Sequence, residues 1–270
     1  MTTAIHPTAL VSPRAELGRD VVVGPYSIVD EGAVIGDGTE LAAYVRVRSR
    51  SRLGRRCRLS EHVVVGGDPQ DHGYRGELND VVIGDDVILR EFVTVNRPVG
   101  EGALTSVGDR CLLMEGVHVA HNVRIGDNVV IANKVGLAGH VVVEENVTLG
   151  GMVGVHQFVH IGRYCMIGGL SKIVKDVPPF VMADGRPARI YGLNRVGLRR
   201  NGFVSADRER IRALYERIYH GGLPLREALS RLREEMAGDP FVEEIVAFAA
   251  SGSRGLAPWV RSFREGDHGD

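Results

Sequence analysis

Aliphatic residues recur at every sixth position over most of this chain. The series runs Ile5, Val11, Leu17, Val23, Val29, Ile35, Leu41, Val47, Leu53, Leu59 and Val65. It resumes at Ile83, Leu89 and Val95, and again at Val107, from where it continues unbroken to Ile173. Of the 29 positions at this spacing between 5 and 173, 26 are Ile, Leu or Val, the exceptions being Asp71, Glu77 and Glu101. Four residues after each aliphatic stands a small or β-branched residue: Ala9, Ala15, Val21, Ser27, Ala33, Thr39 and Val45, and later Val117 through Val159. A period of six belongs neither to an α-helix nor to a simple alternating strand. It predicts a β-helix of short parallel strands, one flat face per hexad and three faces per coil of about 18 residues. Successive coils would stack at about 4.8 Å. Gly often follows the aliphatic, as at Gly18, Gly24, Gly36, Gly84, Gly108, Gly126, Gly150, Gly162 and Gly168. The expectation is that the corners use backbone angles that glycine reaches most easily.

Residues 71–82 and 101–106 lack the hexad and are expected to be loops extruded from a prism that spans 1–179. Each is a multiple of six long, so the prism resumes without a change of phase, and loops on a rigid scaffold are good places for binding residues. After Pro178-Pro179 the pattern stops, and 180–203 reads as irregular linker. Helical spacing follows. Ile211, Leu214, Tyr215, Ile218 and Tyr219 come after a Ser205 cap and before Gly221-Gly222. Pro224 opens a second helix with Leu225, Leu229, Leu232 and Met236 on one face, and Asp239-Pro240 opens a third with Val242, Ile245, Val246 and Ala249. A linker and small helical domain are thus expected over 180–256, and a loose tail over 257–270.

Composition narrows the function classes. Lys and Arg number 33 against 34 Asp and Glu, a net charge of -1, which lacks the broad positive field of a general nucleic-acid binder. Glycine is high at 35 residues and aromatics are only 6%, as suits tight corners around a core of small branched side chains. No apolar run approaches a membrane span and no secretory signal precedes the hexads, so the cytoplasm is expected. Cys57, Cys111 and Cys165 each occupy the small position of a hexad. With the loops removed they lie two and three coils apart, too far for a disulfide, and so serve as core fillers.

The candidate chemistry lies late in the prism. Eighteen residues beyond His121 stands Gly139, and eighteen further Gln157; the same step takes Asn122 to His140, and two steps take Ala120 to His156. His121, His140 and His156 therefore share one column to within a residue, with His118 three residues back along the chain. Such a cluster suits a polar site in which histidine acts as general base near neutral pH. Metal binding is the competing reading, since histidine clusters are common zinc sites.

The runs from Leu112 to Asn122, Leu137 to Val141, Val155 to Phe158 and Asp176 to Phe180 resemble the UDP-N-acetylglucosamine acyltransferases that start lipid A synthesis. The likeness extends through Gly192-Leu193-Asn194, Gly197-Leu198-Arg199-Arg200, Gln70-Asp71 in the first loop and Arg254-Gly255-Leu256 near the end. The resemblance implies a mainly β fold, a left-handed parallel β-helix with a small C-terminal α-helical domain, assembled as a homotrimer with sites between subunits. It implies transfer of a (R)-3-hydroxyacyl group from the phosphopantetheine of acyl carrier protein to the sugar 3-hydroxyl, with no metal and no other cofactor. By the same resemblance His121 is the general base and the Gly139 N–H holds the oxyanion. Asp71, His118, His140 and Gln157 contact the sugar nucleotide, and His156 is a further site histidine. Asn194 and Arg200 meet the nucleotide end, and Gly169 lies near the terminus of the acyl chain.

Some positions depart from the pattern. Asn122 stands where a carboxylate often orients the base, Gly73 replaces a loop lysine, Val196 a glutamate, and Asn201 the second arginine of a pair. An acceptor carrying a 3-amino group is therefore an alternative. From other classes, the alternatives are a non-catalytic trimeric scaffold and a zinc hydratase like the γ-class carbonic anhydrases, against which the three-residue step from His118 to His121 and the helical domain both argue. A related N-acyltransferase carries an extra N-terminal domain, for which hexads beginning at Ile5 leave no room. Arg46, Arg48, Arg50, Arg52, Arg55, Arg56 and Arg58 form a basic stretch, either a solvated face or a surface for an acidic carrier protein.

Overall fold

The structure is a computed structural model and describes residues 2–77 and 79–260. Strands of mostly two residues wind into a three-sided left-handed prism. One face stacks the strands from Ala4–Ile5 to Met166–Ile167, the second those from Leu10–Val11 to Lys172–Ile173, and the third those from Glu16–Leu17 to His160–Ile161. Neighbours are parallel and in register: Ala4 lies beside Val22 and Ile5 beside Val23, one coil on. The first interruption lengthens one coil so that Arg58 lies beside Ile88, and the second so that Ile88 lies beside Leu112. These steps exceed eighteen by twelve and by six residues, as expected of two phase-preserving insertions.

The loops are displaced from where the hexads lapse. Strand Asp80–Ile83 already pairs with strand Leu104–Val107, so 80–82 and 104–106 are not loop. The hexad marks only inward side chains, whereas backbone pairing begins before the next inward residue. From Val23 to Ile173 every aliphatic of the series is at most 3% exposed. The first coil ends the stack, which leaves Ile5 47% exposed. At the small position, Ser27 Oγ donates to Ala42 O and Thr39 Oγ1 to Gly54 O, and the Cys57 and Cys111 thiols take the same role toward Gly84 O and Gly126 O. Burial pushes the Cys111 thiol up to about 11 and raises that of Cys57 as well. These thiols are packing groups, held protonated and unreactive.

The glycines after the aliphatics answer to a different constraint from the one expected. Positive φ falls two residues later, at corners such as Tyr26, Arg56, Asn122, His140 and Phe158, where φ lies between 55° and 67°. Gly24 and Gly36 are not in that region. Instead a Cβ on Gly24 would stand 2.6 Å from Ala42 O, and one on Gly36 2.5 Å from Gly54 O. The next coil passes too close for any side chain.

Beyond the prism, 180–203 is not irregular. Strand Val181–Gly185 pairs in parallel with Met166–Ile167, extends the first face, and turns into antiparallel strand Ala188–Leu193. Helix α1 (Arg195–Arg200) follows, then α2 (Ser205–His220), α3 (Leu225–Glu235) and α4 (Pro240–Ser251). Ser205 is the first helical residue of α2 and not its cap; Val204 N–H is held by Asp207 Oδ2. Asp239 caps α4 through Phe241 N–H and Val242 N–H. The start of the expected tail is docked as well. Buried Asp176 accepts from the Arg254 N–H, Ala257 N–H donates to Asp176 O, and Trp259 packs at a tilt against Tyr215 and Tyr219. Residues 261–270 of that tail lie outside the described residues. The period-six pattern could not register these pieces, because each is held by single contacts without a repeat.

The basic stretch resolves into ion pairs. Arg46 meets Asp30, Arg48 Asp68, Arg50 Asp80, Arg55 Asp85 and Arg56 Asp86. Five of the seven arginines are thus matched by aspartates one coil away, which favours the solvated face over a docking surface; exposed pairs of this kind contribute about 0–1 kcal/mol each. The glycine geometry sets a test. Gly36→Ala should destabilise by about 1–3 kcal/mol, the cost of overpacking. Gly32→Asn, at φ 68° with open space around it, should change stability by about 0.5 kcal/mol or less. Thermal unfolding of the two variants checks the difference, and equal losses would refute the close-approach account.

Candidate active site

The corner between the second and third faces carries the histidine column. The chain leaves the second face after Val119, Leu137 and Val155, and the successive turns hold His121, then Gly139 and His140, then Gln157 and Phe158. Coil-to-coil hydrogen bonds from His140 N–H to His121 O and from Phe158 N–H to Gly139 O lock these turns together. The His121 ring is almost fully buried and lies against the Gly139 backbone. A Cβ at 139 would stand 2.3 Å from His121 Cε1 and 2.4 Å from Nε2, so only glycine fits beneath the ring.

The protonation pattern of His121 follows from its neighbour. Asn122 Oδ1 accepts from Val99 N–H at 3.0 Å, and Asn122 Nδ2 donates to Val99 O at 3.0 Å. A backbone N–H only donates and a backbone C=O only accepts, so these two bonds fix which end of the amide is oxygen. That same oxygen lies 2.8 Å from His121 Nδ1. Nδ1 must therefore carry the proton, and in the neutral ring Nε2 is the free base. Asn122 N–H also donates to Thr105 Oγ1, which anchors the corner. The amide thus does what a carboxylate could not: it orients the base and donates to the second loop at once.

Nε2 faces the first loop. Asp71 Oδ2 lies 3.4 Å from it, an ion pair whenever the ring is protonated. Asp71 Oδ1 accepts from Gly73 N–H at 2.6 Å, and a Cβ at 73 would lie 2.9 Å from that oxygen. Gly73 thereby lets the carboxylate fold back over its own loop. His140 packs edge-on against His121 and stacks on Phe158. His118 projects outward from its strand and shares a hydrogen bond of 2.7 Å with Thr94 Oγ1. Burial and the neighbouring His121 lower the pKa of His118; burial and His121 also lower that of His140, against a smaller opposing pull from Asp71. Both rings are neutral at neutral pH and act there as hydrogen-bonding groups.

Gln70, Asp71, His118, His121, Gly139, His156 and Gln157 line a groove of about 570 Å³, while His140 packs behind His121 and is not part of the groove's wall. Asn194, Arg200 and Gly169 are not on it. Asn194 caps α1, accepting from Gly197 N–H and donating to Tyr164 O, and Arg200 is exposed in the last turn of that helix. Gly169 lies at the corner between the first and second faces, stacked on Gly151. Of the departures, Val196 is exposed on α1 and Asn201 caps its C-terminal end. Sequence reasoning missed three things: Val99, Thr94 and the outward column His118–Gly136–Gly154–Lys172. The eighteen-residue step would have found the column. Nothing in the sequence marked Val99, which enters through an inserted loop. Among the described residues no group of three or more His, Cys, Asp or Glu side chains is arranged to hold a metal ion. Among them, too, no helix is long and apolar enough to cross a membrane.

Comparison with known proteins agrees with this geometry. Residues 176–257 match the family profile described as UDP N-acetylglucosamine O-acyltransferase, domain 2, and residues 105–139 match the bacterial transferase hexapeptide repeat. An acyl-(acyl-carrier-protein)–UDP-N-acetylglucosamine O-acyltransferase of Syntrophobacter fumaroxidans is 42% identical over 93% of this chain and 98% of its own length. The enzyme of the same name from Halorhodospira halophila is 42% identical over 94% of this chain and 99% of its own. The crystal structure of Francisella novicida UDP-N-acetylglucosamine acyltransferase superimposes with a TM-score of 0.91 at 33% identity, over 94% of both chains.

Two measurements follow from the site. Asn122→Ala removes the acceptor of Val99 N–H, so amide exchange at Val99 should speed up by about tenfold, the worth of one hydrogen bond. Unchanged protection would mean that the loop is held by other contacts. For His118 and His140 the sign is set by their lowered pKa values. Just below the ordinary value of 6.5 the unfolded chain binds more protons than the folded one, so stability should rise with pH through that interval. Thermal unfolding across about pH 5 to 7 should show the slope, and His118→Asn should reduce it.

Proposed function

The chain belongs to the UDP-N-acetylglucosamine acyltransferase family, and from that premise we propose that it moves a (R)-3-hydroxyacyl group from acyl carrier protein to the 3-hydroxyl of UDP-N-acetylglucosamine, the first step of lipid A biosynthesis. The observation that carries this reading is the His121 ring, with Nδ1–H bound to Asn122 and Nε2 turned toward the groove above the Gly139 backbone.

In this reading Nε2 takes the proton of the sugar hydroxyl as its oxygen attacks the thioester carbonyl. The Gly139 N–H receives the oxyanion, a contribution of about 3–4 kcal/mol for one such donor. Collapse of the tetrahedral intermediate breaks the C–S bond, and the pantetheine sulfur leaves with the proton that Nε2 had taken. Between the two transfers the ring is imidazolium. Asp71 at 3.4 Å stabilises that charge, while Asn122 holds the ring in orientation. The neutral rings of His118 and His140, with His156 and Gln157, offer hydrogen bonds to the sugar nucleotide without competing for the proton.

Asn194, Arg200 and Gly169 stand apart from the groove of their own chain. We assign them to the neighbouring subunits of a homotrimer, where Arg200 would meet the nucleotide phosphates and Gly169 the acyl terminus. A guanidinium suits phosphate through its paired donors, and Asn194 contributes by fixing the helix that carries it. The donor is supplied on acyl carrier protein, the chemistry asks for no metal or other cofactor, and the setting is cytoplasmic.

The test is product mass spectrometry with 3-hydroxyacyl carrier protein and UDP-N-acetylglucosamine. Wild-type protein should give the 3-O-acylated sugar nucleotide. His121→Ala should lower the rate by at least about 10²-fold, as expected for loss of a general base, while light scattering still reports a trimer. Full activity in that variant would remove His121 from the mechanism.

A further inference from the structure

Among the largest fully buried side chains in the described residues only one is charged. Arg97 is 2% exposed and stands one coil before His121, two residues past Val95 as His121 is two past Val119. Its Nε and Nη2 both donate to Gly66 O, at 3.1 and 2.9 Å, and its backbone N–H donates to Gly67 O at 2.8 Å. Nε also lies 3.6 Å from Asp68 Oδ1, while the other oxygen of that half-exposed carboxylate meets Arg48. One residue thus grips three in succession, 66 to 68, where the chain leaves strand Val64–Gly67 for the first insertion. Burying a guanidinium carries a large desolvation cost, which an apolar side chain of like volume would avoid. Nor does the hexad ask for it, since no other coil carries an arginine two residues past the aliphatic of this face.

The same residue opens the second insertion, and Val99, which orients Asn122, lies two residues further on. The return of the first insertion is tied to the second as well, because buried Asn79 Nδ2 donates to Gly100 O at 2.6 Å. Between these anchors, the hydrogen bonds of the described residues 71–77 are made within that segment. Where Asp71 stands relative to His121 is therefore set by the ends of the insertion. Arg97 holds the nearer end, at Asp68, three residues before Asp71.

Resting on the acyltransfer reading above, we propose that Arg97 is a positioning residue for the reaction, which fixes the departure of the first insertion and so holds Asp71 at 3.4 Å from His121 Nε2. Arg97 acts through Asp71 and not on the reacting atoms. Its planar fork sets two donors on one carbonyl and still faces a carboxylate, a geometry that a lysine cannot reproduce. A point charge on a flexible stem would satisfy Gly66 O or Asp68 without fixing the angle between them. A displacement of about 1 Å at Asp71 would then matter, because a misplacement of that size can cost as much as about 10²-fold in rate. As the first residue of the second insertion, Arg97 also keeps the two supports of the base in one relation, Asp71 on the Nε2 side and Asn122 on the Nδ1 side.

The experiment is a double-variant cycle on the full-length protein, read as rates of transfer from 3-hydroxyacyl carrier protein to UDP-N-acetylglucosamine. Arg97→Lys keeps the charge, and light scattering and thermal unfolding should still report a folded trimer. Its kcat and kcat/KM should fall together by about tenfold, the mark of an interaction made in the transition state. Asp71→Asn should cost about as much. Added to Arg97→Lys, it should cost no more than about twofold further, because the carboxylate is already misplaced. Asp68→Asn alters only the exposed side of the grip. It should lose about threefold, and that loss too should vanish in the Asp71→Asn background. Losses that multiply in full would overturn the proposal, as would full activity in Arg97→Lys or in Asp71→Asn, or a rise in KM alone. If Arg97→Lys does not fold, full activity in Asp68→Asn would overturn it equally and leave Arg97 a purely structural group. Absence of acylated sugar from wild-type protein would overturn the acyltransfer reading itself, and this proposal with it.

Discussion

Parallel pairing of each short strand with the next coil is the constraint on which everything else depends. A coil that must return to its face in register has its length set to eighteen residues, or eighteen plus a whole number of hexads. Any residue is then neighbour to the one eighteen positions on, at the strand spacing of about 4.8 Å. The aliphatic column, the hydroxyls and thiols that bind corner carbonyls, and the arginine–aspartate pairs on the outside all follow from that adjacency. So does the demand for glycine after many aliphatics. Where the next coil presses a carbonyl to within 2.6 Å of a missing Cβ, as at Gly24, backbone crowding and not backbone flexibility decides the residue.

The same adjacency builds the site. His121 cannot be buried beneath the surface of a corner unless the next coil gives way, and Gly139 is that concession. A buried imidazole then needs its tautomer specified, since either nitrogen could face the groove. The chain specifies it through a backbone amide pair at Val99, which orients Asn122, which orients His121. Val99 belongs to the second insertion and Asp71 to the first, so the two departures from the hexad hold the base from opposite sides. A prism without insertions would have the ring but neither the group that sets its proton nor the carboxylate that meets its charge.

Repetition explains what could be read from sequence. The prism, its two insertions, the isolation of Cys57, Cys111 and Cys165, and the convergence of His121, Gly139 and His140 all follow from counting by six and eighteen. Contacts made once do not repeat and leave no period. The hairpin at 181–193, the docking of Ala257 and Trp259 on Asp176 and Tyr215, and the bonds of Val99 are of this kind. The arginine stretch was legible as charge but not as pairing, because its aspartates lie up to thirty residues away, across the first insertion. Gly73 read as a lost lysine; in the fold it is the residue that lets Asp71 turn back on its own loop.

Asn122 illustrates how a change at an orienting position can be compensated locally. A carboxylate there would bind Nδ1–H more strongly and stabilise imidazolium, but it would set a negative charge against Val99 O, where the amide now donates. The chain instead separates the two tasks. The neutral amide on the Nδ1 side sets orientation, and the Asp71 carboxylate on the Nε2 side meets the charge that forms when the proton arrives. Because Asp71 also spends one oxygen on Gly73 N–H, its other oxygen is aimed at the ring by the loop itself. The base is therefore supported by two insertions of fixed phase, through the bonds of Val99 with Asn122 on one side and of Gly73 N–H with Asp71 on the other.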